Sequence, residues 1–165
     1  MKTRAIVVGA MVLFCAAVPN GIISEGGKYS VTAIHAHLYY QSTGEINPTD
    51  LLDGKGHSLW NTIIGEGEAR KPSAAILVLV DLSGPTFWRR DGTVRLAATD
   101  GQKTLLDQTL LLGIWGNEGG KVVLPFLVCG TGCRKLEITA TLEGSPDALV
   151  ETATLKKIVP FKCGE

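Results

Sequence analysis

Residues 135–143 alternate without a break. Leu136, Ile138, Ala140 and Leu142 fall on one side, and Lys135, Glu137, Thr139, Thr141 and Glu143 fall on the other. A period of two belongs to a β-strand, whose successive side chains point to opposite faces. One apolar and one polar face mark a strand of a half-buried antiparallel sheet. Residues 93–99 repeat the pattern, with Val94, Leu96 and Ala98 set against Thr93, Arg95 and Thr99. Residues 28–40, 103–115, 121–129 and 154–162 are further runs rich in β-branched and aromatic residues, and each predicts a strand. Residues 74–82 (AAILVLVDL) are nearly all apolar, which predicts a strand covered on both faces.

Turn signals separate these runs: Asp91-Gly92, Asp100-Gly101, Asn117-Glu118-Gly119-Gly120 and Gly144-Ser145-Pro146-Asp147. Residues 47–54 predict one helical turn, with Asn47 as its cap, Pro48 in the first helical position and Gly54 ending it. About seven strands at this spacing, with no long helix, predict an all-β fold, an immunoglobulin-like antiparallel β-sandwich occupying residues 28–165. A barrel is the alternative. The last strand is the expected edge, because Lys156, Lys157 and Pro160 are residues that discourage edge-to-edge pairing.

The beginning of the chain follows a different pattern. Lys2 and Arg4 precede fourteen uncharged residues, 5–18, and Cys15, Ala16 and Ala17 lie just before Val18-Pro19-Asn20-Gly21. A basic start, a short apolar stretch and small residues make a secretory signal. Spanning a bilayer takes about 20 apolar residues, so cleavage after Ala17 is the first expectation and a retained anchor within 1–20 the second. Either one places the β domain in the periplasm or outside the cell, tethered to the membrane if the segment is kept.

The whole chain carries 16 basic and 16 acidic residues. Without its first 17 residues it loses two basic ones and is slightly acidic. Nucleic-acid binding needs clustered Lys and Arg, so this balance argues against it.

Export changes the reading of the cysteines, since exported thiols are usually oxidised. A hairpin of the last two strands centred near Ala148 would set Cys133 opposite Cys163, close enough to bridge. The expected disulfide is therefore Cys133–Cys163, with Cys129 left over. A Cys129–Cys133 bridge across Gly130-Thr131-Gly132 competes with it. Three intervening residues and the lack of a second pair argue against a zinc or redox motif.

Two further groups are candidates for chemistry. His35 and His37 stand two apart on a predicted strand and so share a face, which is half of a copper or zinc site. A third ligand would come from His57, Cys129 or a carboxylate. In the predicted loop after residue 83, Phe87, Trp88, Arg89 and Arg90 combine aromatic and basic character suited to a protein partner or a membrane surface. Trp60 and Trp115 are expected to pack in the core.

No nucleophile elbow, His-Glu-x-x-His motif or phosphate-binding glycine loop is present in the sequence. The reading is an exported, non-enzymatic binding or structural module of the cell envelope, with an accessory subunit on the outer face of a membrane complex as one form of it. It needs no cofactor and meets a protein partner that the membrane can hold. The alternative is a periplasmic copper- or zinc-binding protein using His35 and His37.

Overall fold

The computed structural model describes residues 28–55, 69–84, 92–112, 120–144 and 152–161. The hydrophobic segment within 1–20, the loop with Phe87, Trp88, Arg89 and Arg90, and His57, Trp60, Trp115 and Cys163 lie outside these residues. Eight strands are described: β1 (Ser30–Tyr40), β2 (Glu45–Ile46), β3 (Ala75–Ser83), β4 (Gly92–Thr99), β5 (Thr104–Leu111), β6 (Lys121–Cys129), β7 (Leu136–Gly144) and β8 (Ala153–Val159). They form two four-stranded antiparallel sheets, ordered β2-β1-β3-β6 and β5-β4-β7-β8. This is the β-sandwich that the alternating pattern predicts. The seven predicted strands are all present, and two-residue β2 is the addition.

The core lies between the sheets and is filled mainly by one parity of β1, β3, β4, β6 and β7. β1 contributes Ile34, Ala36, Leu38 and Tyr40, β3 contributes Ile76, Val78, Val80 and Leu82, and β6 contributes Phe126 and Val128. From the other sheet come Val94, Leu96 and Ala98 of β4 and Leu136, Ile138, Ala140 and Leu142 of β7. Each fully buried Leu, Ile or Phe contributes roughly 1.5–3 kcal/mol of transfer free energy.

Three sequence expectations are corrected. The predicted helical turn at 47–54 is instead a chain of turns closed by side chains. Asn47 Oδ1 accepts the Thr49 N–H at 3.0 Å, Asp50 Oδ1 the Leu52 N–H at 3.0 Å and Asp53 Oδ1 the Lys55 N–H at 2.9 Å. Asn and Asp side chains compete with the helix for backbone donors two residues ahead, and here they win.

The β7–β8 register is one residue from the expected one. Leu136 faces Val159, and Ala140 faces Leu155. The expected register would have turned Thr154, Lys156 and Ile158 toward the core. The observed one turns in Ala153, Leu155 and Val159, because a one-residue slip exchanges the two faces of a strand. The ladder ends at Leu136, three residues short of Cys133 in the chain.

β3 is buried on one face only. Its inward residues are 0–1 % exposed, while Leu77, Leu79, Asp81 and Ser83 on the outer face are half-buried.

The free edges are protected in different ways. β2 and the segment after it cover the edge of β1. β6 carries Pro125 at mid-strand, tolerated because an edge strand can direct the missing N–H away from the ladder. β8 is an edge as expected, with Lys157 on the same side as its core residues.

Ser30, Ser83 and Lys121 form one row. Just beyond it, Gly84 N–H donates to the Gly120 carbonyl at 2.8 Å. Gly120 has φ of 70°, and a Cβ there would run into the Gly84 carbonyl. Replacing Gly120 with Ala is expected to cost on the order of 1–3 kcal/mol. Gly101 also has positive φ but no atom within 4 Å of an added Cβ. Chemical denaturation should therefore show Gly101→Ala to be the milder change, and equal losses would contradict the crowding argument.

Candidate functional site

The outward residues of β1 and β3 bring together the side chains with the most chemistry. Inward Ile34, Ala36 and Leu38 fix the parity of β1, so His35 and His37 must point outward. On β3 the same parity turns Asp81 outward, in the row next to His35. Beside them runs the segment after β2. Its Asn47 N–H donates to the Leu38 carbonyl and its Leu51 N–H to the Ala36 carbonyl, both at 2.8 Å. Leu51, only 5 % exposed, anchors the segment in the core. Asn47 Nδ2 and the Arg70 N–H both donate to the Tyr40 hydroxyl at 2.9 Å, which pins the start and return of this excursion.

Asp50 is the hub. Its Oδ1 accepts the Ala36 and Leu52 N–H groups at 3.0 Å each, and its Oδ2 lies 2.7 Å from His35 Nδ1. Partial burial pushes this carboxyl up, but the Ala36, His35 and Leu52 donors outweigh burial and hold it below the usual carboxylate range. The opposite ring nitrogen, His35 Nε2, is 3.5 Å from Asp81 Oδ2. The hydrogen bond to Asp50 raises the His35 imidazole above its ordinary value. Partial desolvation opposes this, and the charges of Asp50 and Asp81 add to the rise.

His37 is held differently. Its Nδ1 lies 3.2 Å from the Asn47 carbonyl and 3.0 Å from the Thr49 carbonyl. Both are acceptors, so Nδ1 carries a proton.

The outer faces of the two sheets differ in character. On the β5-β4-β7-β8 sheet Arg95 makes two hydrogen bonds to Asp107, each 2.6 Å, and Lys156 pairs with Glu137. Thr93, Thr99, Thr139, Thr141 and Thr154 occupy much of the rest. On the first sheet, by contrast, Leu77 and Leu79 of β3 sit beside Leu127 and Pro125 of β6, with Val123 one row further on. Val123 is 51 % and Leu127 42 % exposed. His35 and His37 border this apolar strip.

Of the predicted site residues, the structure brings His35 and His37 to one face. The sequence missed Asp50 and Asp81, which complete their surroundings. Asp81 carried a signal, as the one charge in the apolar run of residues 74–82. Cys129 is a free, exposed thiol, and Cys133 is disulfide-bonded, so these two are not bridged to each other. Among the described residues no helix is long and apolar enough to cross a membrane.

Neither a protein-family model nor a curated relative matches the chain. Among solved structures, a β-glucuronidase of Parabacteroides merdae is similar over 79 % of this chain, with a TM-score of 0.42 and 14 % identity. The chain spans 13 % of that enzyme's length. A likeness of that size carries no argument about activity.

The geometry predicts a pH dependence for the metal-free protein. His35 is raised on folding, so its stabilisation is fully present below about pH 6.5 and is lost as pH rises through the higher folded value. Asp50 is lowered, so its contribution is present above about pH 4 and is lost as pH falls through its folded value. With a chelator present, the melting-temperature advantage of wild type over His35→Gln should be largest near pH 5–6 and shrink toward pH 9. An advantage that does not change with pH would contradict the His35–Asp50 pairing.

Proposed function

We propose that the chain is an exported, non-enzymatic module of the cell envelope that binds a protein partner. The observation that carries this reading is the apolar outer strip of Leu77, Leu79, Val123, Pro125 and Leu127. Contiguous exposed apolar surface with a polar rim marks protein contact sites. On the other sheet the central strands present a mostly polar outer face, and the exposed apolar residues Leu111 and Ile158 stand apart on its two edge strands.

The compartment is the periplasm or the outside of the cell. The signal-like residues 1–20 motivate this, and a disulfide-bonded Cys133 fits an oxidising compartment. We assign its partner as Cys163. Leu136 and Val159 close the β7–β8 ladder; Cys133 precedes Leu136 by three residues and Cys163 follows Val159 by four, so both chains leave the same end toward their cysteines. A bridge enclosing about 30 residues adds roughly 3–4 kcal/mol by the chain-entropy model. Non-reducing peptide mapping should recover the Cys133–Cys163 pair with Cys129 unpaired. A Cys129–Cys163 bridge, or three free thiols, would overturn the assignment.

If the N-terminal segment is kept, the module is an accessory subunit of a membrane complex. The chain enters β1 beside Gly84, from which residues 85–91 depart. Phe87, Trp88, Arg89 and Arg90, in the sequence that follows Gly84, are then candidates for a second contact.

The test uses protein purified from solubilised envelopes of its native source. Wild type should co-purify with a partner at fixed stoichiometry. A Val123→Lys, Leu127→Lys double variant should lose that partner while keeping its melting temperature within a few degrees. A partner retained by the double variant would remove the apolar strip from the account. A wild type found alone, as a monomer, would remove the partner.

A further inference from the structure

We propose that the open edge of β6 receives an extended segment of another protein as an added β-strand, apolar in alternation and carrying carboxylates at both ends. This rests on the reading that a protein partner docks at the apolar strip, and gives that partner its form. The backbone of β6 shows which groups are open. At one end of the β3–β6 ladder the Gly84 N–H donates to the Gly120 carbonyl at 2.8 Å, and at the other the Gly130 N–H donates to the Ala74 carbonyl at 2.7 Å. Both pairs continue the register that sets Ser83 against Lys121 and Ala75 against Cys129. Bonded and non-bonded pairs alternate along an antiparallel ladder. The even-numbered residues of β6 therefore bond β3, and residues 121, 123, 125, 127 and 129 turn their backbone groups to the open side. Pro125 agrees with this, since its missing N–H falls on that side.

Donors remain there on Lys121, Val123, Leu127 and Cys129, with carbonyls alongside them. Another backbone in extended form matches such a row. The side chains of the same residues stand on the outer face, and all are exposed. Pro125 withholds one donor, which weakens pairing with arbitrary strands and leaves the choice to side chains.

The inner side of the same edge is also incomplete. β5 packs across from β6. Leu106 and Leu110 of β5 and Val122 and Leu124 of β6 pack against the core yet are only half-buried. A strand beside β6 would lie about 4.8 Å further out, and its inward side chains would cover these residues. Its outward ones would widen the strip of Val123, Pro125 and Leu127.

Charge selects the occupant. Edge strand β8 carries Lys156 and Lys157 in its middle, whereas residues 122–133 carry no charge and are flanked by exposed Lys121 and Arg134. A second copy of β6 fits poorly. Paired antiparallel about a two-fold axis, each copy would bring Lys121 to the end of the other from which the chain runs on to Arg134. A foreign strand with an uncharged middle and Asp or Glu at its ends meets both cations with opposite charge.

The probe is a blocked peptide, Glu-Val-Thr-Val-Thr-Val-Thr-Val-Glu, with a control that has Lys at both ends. The chain should bind one Glu-ended peptide at least tenfold more tightly than the control. Hydrogen exchange read by NMR should show the amides of Val123, Leu127 and Cys129 exchanging quickly in the free protein and at least tenfold more slowly with the peptide. Val123→Pro removes a donor from the open side without touching the β3 ladder, and should weaken binding at least tenfold. Val123→Ala keeps the donor and should weaken it less. Thermal melts confirm folding, and if Val123→Pro fails to fold, exchange in wild type decides. No binding of the Glu-ended peptide, equal affinity for both peptides, amides left unprotected, or equal losses in folded Val123→Pro and Val123→Ala would each overturn strand addition. Co-purification from envelopes judges the partner separately. A native partner that stays bound while these amides still exchange quickly removes the added strand and leaves the partner standing.

Discussion

The outer face of the first sheet depends on one carboxylate. Asp50 takes a proton donor from each of three places: the β1 backbone at Ala36, its own turn at Leu52 and the ring of His35. Each bond serves a different level of structure. The first satisfies an edge donor that β2, only two residues long, leaves uncovered. The second closes a turn that displaces a helix. The third fixes which nitrogen of His35 is available for other work. Removing a partly buried acceptor of this kind leaves three donors without their partner at once, which costs more than one ordinary hydrogen bond contributes.

The same alternation that builds the core also decides what the molecule shows to its surroundings. With one parity of each strand turned inward, the opposite parity is left for the outer faces. On the central strands β4 and β7 that parity is mostly threonine and charge, with exposed Leu111 and Ile158 on the edge strands β5 and β8. On β3 and β6 it is Leu77, Leu79, Val123, Pro125 and Leu127. The inward residues of β3 and of β4 and β7 alike are buried in the core, so packing of the core does not account for this difference. A contact surface therefore has to be read from the outward residues of two neighbouring strands together, and only the observed β3–β6 pairing aligns them.

Much of the sandwich was legible in the residues because period-two alternation is a local signal. Residues 93–99 and 135–143 show it without interruption, and both are strands. Residues 47–54 misled because Asn, Pro and Gly at helix-terminus positions also suit a run of side-chain-closed turns, and the choice between them depends on β1 lying alongside. The β7–β8 register was missed by one residue because it follows from which side of β8 can fill the core, which the loop length does not reveal. At the site, the face shared by His35 and His37 was legible from spacing alone. Asp50 and Asp81 were not, since one comes from a segment folded back on β1 and the other from a strand about 45 residues later in the chain.

The central claim is that acceptors behind His35 and His37 hold both rings with the proton on Nδ1. Nitrogen-15 NMR of the imidazoles in the metal-free protein measures this directly. At alkaline pH the account predicts that His35 and His37 each show a protonated Nδ1 and an unprotonated Nε2, and that Asp50→Asn disturbs His35 and leaves His37 unchanged. Rings that carry the proton on Nε2, or that exchange between the two forms as free imidazole does, would contradict it.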